Sequence, residues 1–271
     1  MRSIVSKPNS ITTKSEIVNA KYLILQLAKR DFFVRYRQTG LGYLWAFINP
    51  MTSFILYAFV FDILVKIPTP EYSSPYSAVL IVGILFWNFF SASLTSVSDS
   101  LINNISLIKK VYFPRVVFGL ASVFVAVIDL LLALFFFIPV LWYLDVSINY
   151  SRLVVFLPFC ILTTLLFAWG IGAIIAILKV KYKDFRHVVP LVMQIFFYAS
   201  PIVYTLSIVP EKYMVLYEIN PFSHILTLAR YALLNGKEMP SIATTLGMAM
   251  ITALVGNLFF LLNERKVVDL E

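Results

Sequence analysis

The sequence predicts an all-α integral membrane protein with six transmembrane helices. Three observations carry that reading. Long apolar runs recur along the chain, separated by short polar stretches. The 271 residues are 60% hydrophobic and only 13% charged, where a soluble domain is about half apolar and a quarter charged. Finally, Lys and Arg gather in alternate connecting segments, as membrane topology demands.

Residues 1–38 read as a cytoplasmic tail and an interface helix, and residues 39–271 as the transmembrane domain. No short apolar core with a small-residue cleavage site occurs near the start, so the N-terminus is expected to stay uncleaved in the cytoplasm. Thr13 and Glu16 fit a capping box at a helix start. Beyond it Ile17, Ala20, Ile24, Leu27 and Val34 recur at helical spacing. Asp31 interrupts that face, and Arg30, Arg35 and Arg37 crowd its end. An amphipathic helix lying in the inner interface is expected, its cations reaching lipid phosphates.

Spans are expected near residues 41–65, 77–97, 116–144, 153–178, 188–206 and 242–262. After Arg37 no charge occurs until Asp62, and a cation at the bilayer centre costs about 2.5–3.5 kcal/mol, so the first span begins at that edge. Pro50 lies within it and predicts a bend. The segment after the second span is polar and then basic, predicting a short helix ended by Pro114. Residues 179–187, KVKYKDFRH, read as a short basic loop. The fifth span is broken at Pro201. Residues 207–240 hold too many interruptions for a plain span, and two short helices near 211–217 and 222–234, dipping into the membrane edge, fit them. Irregular backbone at that depth needs cover from protein or water.

Six spans put both termini on one side. With the N-terminus inside, 17 of the 22 Lys and Arg residues fall on the cytoplasmic side, and that excess sets the orientation. The net charge of +8 is therefore a topology signal, and no basic-aromatic motif points to nucleic acid.

Catalytic chemistry is not indicated. His187 and His224 fall on opposite predicted sides, and Cys160 is the sole cysteine, so no metal site is expected. GxSxG, HExxH, CxxC and the phosphate-binding GxxxxGK[ST] loop are absent from the sequence. The chain cannot hydrolyse ATP through such a loop, and if it moves a cargo uphill another subunit must supply the energy. Asp129, near the centre of the third span, reads either as a proton relay or as a carboxyl satisfied by a neighbouring helix. Relays use several intramembrane ionisable groups, which favours the second reading. The 24 Phe, 15 Tyr and 4 Trp form interfacial belts at helix ends. Those inside spans either pack or offer faces to the C–H surfaces of sugars.

Several segments in order resemble one family. RDFFVRYRQTGLGYLWAFINP (30–50), LIKKVYFPR (107–115), VKYKDFRHV (180–188), SPIVY with INPF (200–204, 219–222) and NERKVVDLE (263–271) look like the permease subunit of type-2 ABC exporters, polysaccharide-export branch. That branch moves O-antigens, capsules and teichoic acids. Lys183 stands where the family often carries Arg before the Asp, keeping charge but not the bidentate fork.

The resemblance implies a homodimer in the bacterial cytoplasmic (inner) membrane, around a central channel, with two ATPase subunits that bind ATP and Mg. The chain itself then needs no cofactor and meets membrane lipids and a lipid-linked polysaccharide. ATPase coupling would fall to Asn103, Asn104, Leu107, Lys109, Lys110, Tyr112, Phe113 and Arg115, and the interface helix would act through Arg30, Asp31, Arg35 and Arg37. Channel lining is implied for Tyr43, Phe47, Phe54, Tyr57, Phe196, Phe197 and Tyr204, and an outer gate for Pro201, Asn220 and Pro221. Exporters of small hydrophobic molecules share the fold, and a proton-coupled secondary transporter built on Asp129 is the competing class.

Overall fold

The computed structural model describes residues 14–36, 40–72, 74–108, 115–234, 236 and 239–264, with side chains from residue 21 onward. Among these residues every regular element is helical. Five helical stretches are long and apolar enough to cross a membrane: Gly42–Val65, Tyr76–Asn103, Val116–Tyr143, Tyr150–Lys181 and Ile242–Asn263.

Helix α1 (Lys14–Tyr36) does not lie across the ends of the spans. Its contacts climb the flank of α5 (Val116–Tyr143). Leu27, with Leu23, Ile24 and Ala28, packs on Val117, Phe118 and Ala121, and further along Arg35 is ion-paired with Asp129. Tyr22, Leu25, Phe33 and Val34 point outward. The expected apolar stripe is therefore split: Ile24 and Leu27 face protein, whereas Val34 turns away. Thr13, at the expected cap, lies outside the described residues.

The first span opens with Gly42 at φ +51°, a backbone region glycine enters without penalty. A 3₁₀ turn (Gly42–Leu44) leads into α2 (Trp45–Ala58), which holds Pro50, and the last turns (Phe59–Val65) widen to π geometry. Asp62 in that π turn accepts a 2.6 Å bond from Ser77 Oγ. Lys66 and Asp145, both at φ 56°, end the first span and α5 in left-handed conformation, a common helix stop.

Helix α3 (Tyr76–Asn103) is the central post. Of its most apolar stretch 72% is buried inside the chain, against 6% for Gly42–Val65. It runs well past the expected end near Val97, breaks at Asn104, and continues as the single turn α4 (Ile105–Ile108). Helix α6 (Tyr150–Lys181) packs most extensively against α3 and α10 (Ile242–Asn263). The α6–α10 crossing is set by small residues: a Cβ on Gly256 would stand 2.0 Å from the Gly170 carbonyl oxygen, and one on Gly170 would stand 2.2 Å from that of Thr252. Lipid does not drive apolar helices together, so such backbone approach supplies the packing.

Lys179 corrects the expected loop 179–187. It lies within α6, buried, its ammonium bonded to Asp99 on α3 at 2.6 Å. Helix α7 (Phe185–Ala199) follows after a short turn. Its 15 residues reach about 22 Å at ~1.5 Å per residue, short of the ~30 Å hydrocarbon core. A 3₁₀ turn (Leu206–Ile208) and helices α8 (Glu211–Ile219) and α9 (Pro221–Leu234) fill the interrupted region. Helix α9 is largely buried, whereas Val215, Leu216 and Ile219 of α8 are exposed.

Candidate functional site

A groove runs along the flank of α3 between α2 and α7. Helix α3 contributes Asn88, Ser91, Thr95 and Asp99, spaced to lie on one face; α2 contributes Asn49, Ser53 and Tyr57, spaced by single turns. Three hollows make up the groove. The first, of about 600 Å³, is lined by Asn49, Asn88, Ser91, Thr95, Arg35 and Asp129 among others. The second, about 290 Å³, lies among Ser53, Tyr57, Trp87, Gln194 and Phe197. The third, about 560 Å³, is edged by Asp99, Asn103, Lys179 and Arg186. Asn88 belongs to the first two, Ser91 and Thr95 to the first and third, Met193 to the second and third. The hollows are therefore contiguous. Their walls join hydroxyls and amides to apolar and aromatic faces.

The seven aromatics implied as channel lining separate in space. Tyr57 and Phe197 stack with centroids 5.4 Å apart, and Phe197 meets Trp87 edge-on at 5.2 Å, all three in the groove. Phe47 instead lies 5.2 Å from each of Phe136 and Phe137 on α5, and Phe54 is edge-on to Phe137 at 6.4 Å. Phe196 sits within a cluster of Trp87, Phe90, Phe167 and Phe222. Tyr43 stacks on Phe32 of α1 at 5.5 Å. The Tyr204 hydroxyl donates to the Tyr198 carbonyl at 2.8 Å and meets Tyr217 Oη at 2.9 Å.

One end of the groove meets the irregular segment after α7, where the sequence places Pro201. Three successive carbonyls there are taken by side chains. Arg230 Nη2 donates to Ile202 O at 2.8 Å, Tyr76 Oη to Val203 O at 2.6 Å, and Arg230 Nη1 to Tyr204 O at 3.2 Å. Arg230 is only 2% exposed. This is the cover that non-helical backbone needs in a membrane protein. The segment also lies hard against α3: a Cβ on Gly83 would stand 2.3 Å from Ile202 O. Asn220 joins the group, its amide donating to Ser200 Oγ at 3.0 Å and its carbonyl capping Phe222 N at 3.0 Å. Pro201, Asn220 and Pro221 are thus neighbours in space.

Charges gather at the opposite end. Arg30 Nη2 donates to Asn104 Oδ1 at 2.9 Å, and Asn104 Nδ2 donates to Ser100 O at 2.9 Å, tying α1 to the break after α3. Arg30 also pairs with Asp31 at 2.7 Å. Leu107 of α4 joins the Leu27–Val117–Phe118 cluster, and Arg115 stands immediately before α5 without a side-chain capping bond. Asn103 edges the third hollow. Lys109, Lys110, Tyr112, Phe113 and Arg37 lie outside the described residues.

Sequence reading missed the polar stripe on α3 together with Asn49, Ser53, Gln194, Lys179 and Arg186. Its signal was present as polar residues at helical spacing inside an apolar span. Ser and Thr are weak signals in membrane helices, because they bond their own backbone, as Ser98 does to Thr95 O at 2.9 Å.

Helices throughout the described residues, five of them long and apolar enough to cross a membrane, and a groove along the central one fit the class of multi-pass membrane transport proteins. Residues 22–234 match the family described as ABC-2 type transporter, and the chain belongs to that family. Over 214 residues it is 28% identical to an O-antigen export system permease protein RfbA of Klebsiella pneumoniae, covering 79% of this chain and 81% of that one. A protein of the same description from Myxococcus xanthus is 25% identical over 244 residues, with 89% and 90% covered. The polysialic acid transport protein KpsM of Escherichia coli is 23% identical over 219 residues, 80% of this chain and 83% of its own.

Proposed function

We propose that the chain is the membrane permease of an ATP-driven exporter that carries a lipid-linked polysaccharide across the bacterial inner membrane. The observation that carries this reading is similarity along most of the chain to permeases named for O-antigen export. The contiguous groove of hydroxyls, amides and aromatic faces supports it, because sugars present both hydroxyls and apolar C–H faces. Two copies facing each other across the open side of the groove enclose one conduit, with two ATPase subunits at the charged end. Helix α7 acts as the fifth of six spans, completed by the segment after Ala199, and α8 and α9 form the outer gate. Both termini are cytoplasmic by the distribution of Lys and Arg. Asn103, Asn104, Leu107 and Arg115, with 109–113, carry the stroke of the ATPase to α3 and α1.

Deletion of the gene tests this reading. A cell surface lacking its glycan, with lipid-linked polymer accumulating inside, is expected. Restoration by the wild-type chain and failure of a chain with residues 107–113 replaced complete the expectation. Normal surface glycan after deletion contradicts it.

A further inference from the structure

The third hollow lies where α3 and α6 end and α7 begins, and two cations reach it. Lys179, in the last turn of α6, is 5% exposed, and its Nζ donates to Asp99 Oδ1 at 2.6 Å and Ser98 Oγ at 2.9 Å. An ammonium carries three donors, so those two bonds leave one proton to offer. Arg186, in the first turn of α7, lines the same hollow, and its guanidinium forms no hydrogen bond or ion pair among the described residues. Asp99 is the only acid in the lining. Two cations against one carboxylate leave one positive charge uncompensated in a space of about 560 Å³. The remaining polar lining, Ser91, Thr95 and Asn103, adds hydroxyl and amide donors.

We propose that this hollow is a phosphoanion site, taking a phosphate or diphosphate group at the charged end of the groove. Arg186 engages the anion with its planar fork, which fits phosphate oxygens two at a time. Lys179 gives its remaining proton. Asp99 holds Lys179 in place and lowers the net charge, so the anion binds without being trapped. The proposal rests on the permease reading for the source of the anion, since a lipid-linked cargo can bear such a group. The chemistry itself stands on the residues alone. A lipid headgroup and a free phosphate compound offer the same group, and the test separates them.

The full chain is placed in nanodiscs of phosphatidylcholine and titrated with inorganic pyrophosphate by calorimetry. Parallel nanodiscs containing a polyprenyl phosphate are analysed by native mass spectrometry for retained lipid. Binding of pyrophosphate assigns the site to the anion wherever it comes from, and retention of the lipid alone assigns it to a headgroup. In whichever arm binds, Arg186→Gln weakens binding about tenfold, the worth of one charge-assisted contact. Asp99→Asn tightens it about threefold by releasing Lys179. Were the Lys179–Asp99 pair only structural, Asp99→Asn would lower the unfolding temperature with no gain in affinity. That outcome overturns the proposal, as do binding of neither probe and binding unchanged by Arg186→Gln. Export assays read independently: intact glycan export with no anion binding removes this site alone, whereas anion binding without export removes the permease reading and leaves the site.

Discussion

Arg35, in the last turn of α1, is ion-paired with Asp129, halfway along α5. The charge cluster that ends α1 is thereby fastened to the middle of a membrane-length helix. Arg35 keeps 44% of its side chain exposed and Asp129 21%. A structural role for Asp129 makes two predictions. In a double-mutant cycle read by thermal unfolding, Arg35→Gln is expected to destabilise the chain, and adding Asp129→Asn to recover part of the loss. Transport by Asp129→Asn is expected to keep the wild-type pH dependence, which a proton-coupled carrier would not.

The aromatics divide into two mutational classes. Phe47 is half-buried against Phe136 and Phe137, so Phe47→Ala is expected to cost about 1–2 kcal/mol of stability through lost apolar burial. Tyr57 and Phe197 border the second hollow. Phe197 is buried, so Tyr57→Ala is the cleaner probe and is expected to slow glycan passage severalfold while ATP hydrolysis by the assembled complex continues. Unfolding curves and paired export and ATPase assays distinguish the classes.

Arg230 holds the carbonyls of Ile202 and Tyr204 from a fully buried position. A Lys there places one ammonium where a two-armed guanidinium stood, leaving a carbonyl without its donor. Arg230→Lys is expected to destabilise by about 1–3 kcal/mol, the cost of an unsatisfied buried polar group, and Arg230→Met by more. Limited proteolysis near Ser200–Thr205 checks the local loosening.

At the α6–α10 crossing, Gly256→Ala sets a methyl against the Gly170 carbonyl, with backbone on both sides and nothing flexible to yield. A loss of at least about 3 kcal/mol is expected. Gly247→Ala on the same helix meets nothing within 4 Å and is expected to leave folded yield unchanged, which the two purified variants show directly.

The helices were legible because a membrane makes them so. An apolar run longer than the bilayer core can only be a helix or be covered, and the positions of α3, α5, α6 and α10 follow from that. Even the interrupted region yielded two short helices, since its apolar runs are of helix-turn length between the interruptions, and the structure starts them after Pro210 and at Pro221. Partnerships between helices were not legible. Nothing adjacent in sequence announces that Arg35 pairs with Asp129, or that Lys179 leaves its apparent loop to meet Asp99. The groove was read through its aromatics, which are conspicuous, yet Phe47, Phe54 and Phe196 proved to pack against other rings. The polar stripe Asn88–Ser91–Thr95–Asp99 is carried by small residues whose meaning depends on which face α2 and α7 leave open, and that is a tertiary fact.

The groove as glycan conduit is tested most directly by filling it. Asn88 borders both the first and second hollows, so Asn88→Trp places an indole at their junction. The variant is reconstituted with its ATPase partner in proteoliposomes, and ATP-dependent delivery of lipid-linked polysaccharide to the far leaflet is measured by lectin capture. The groove reading predicts that delivery stops while ATP hydrolysis and folded yield persist. Delivery at the wild-type rate through a groove so filled would contradict it.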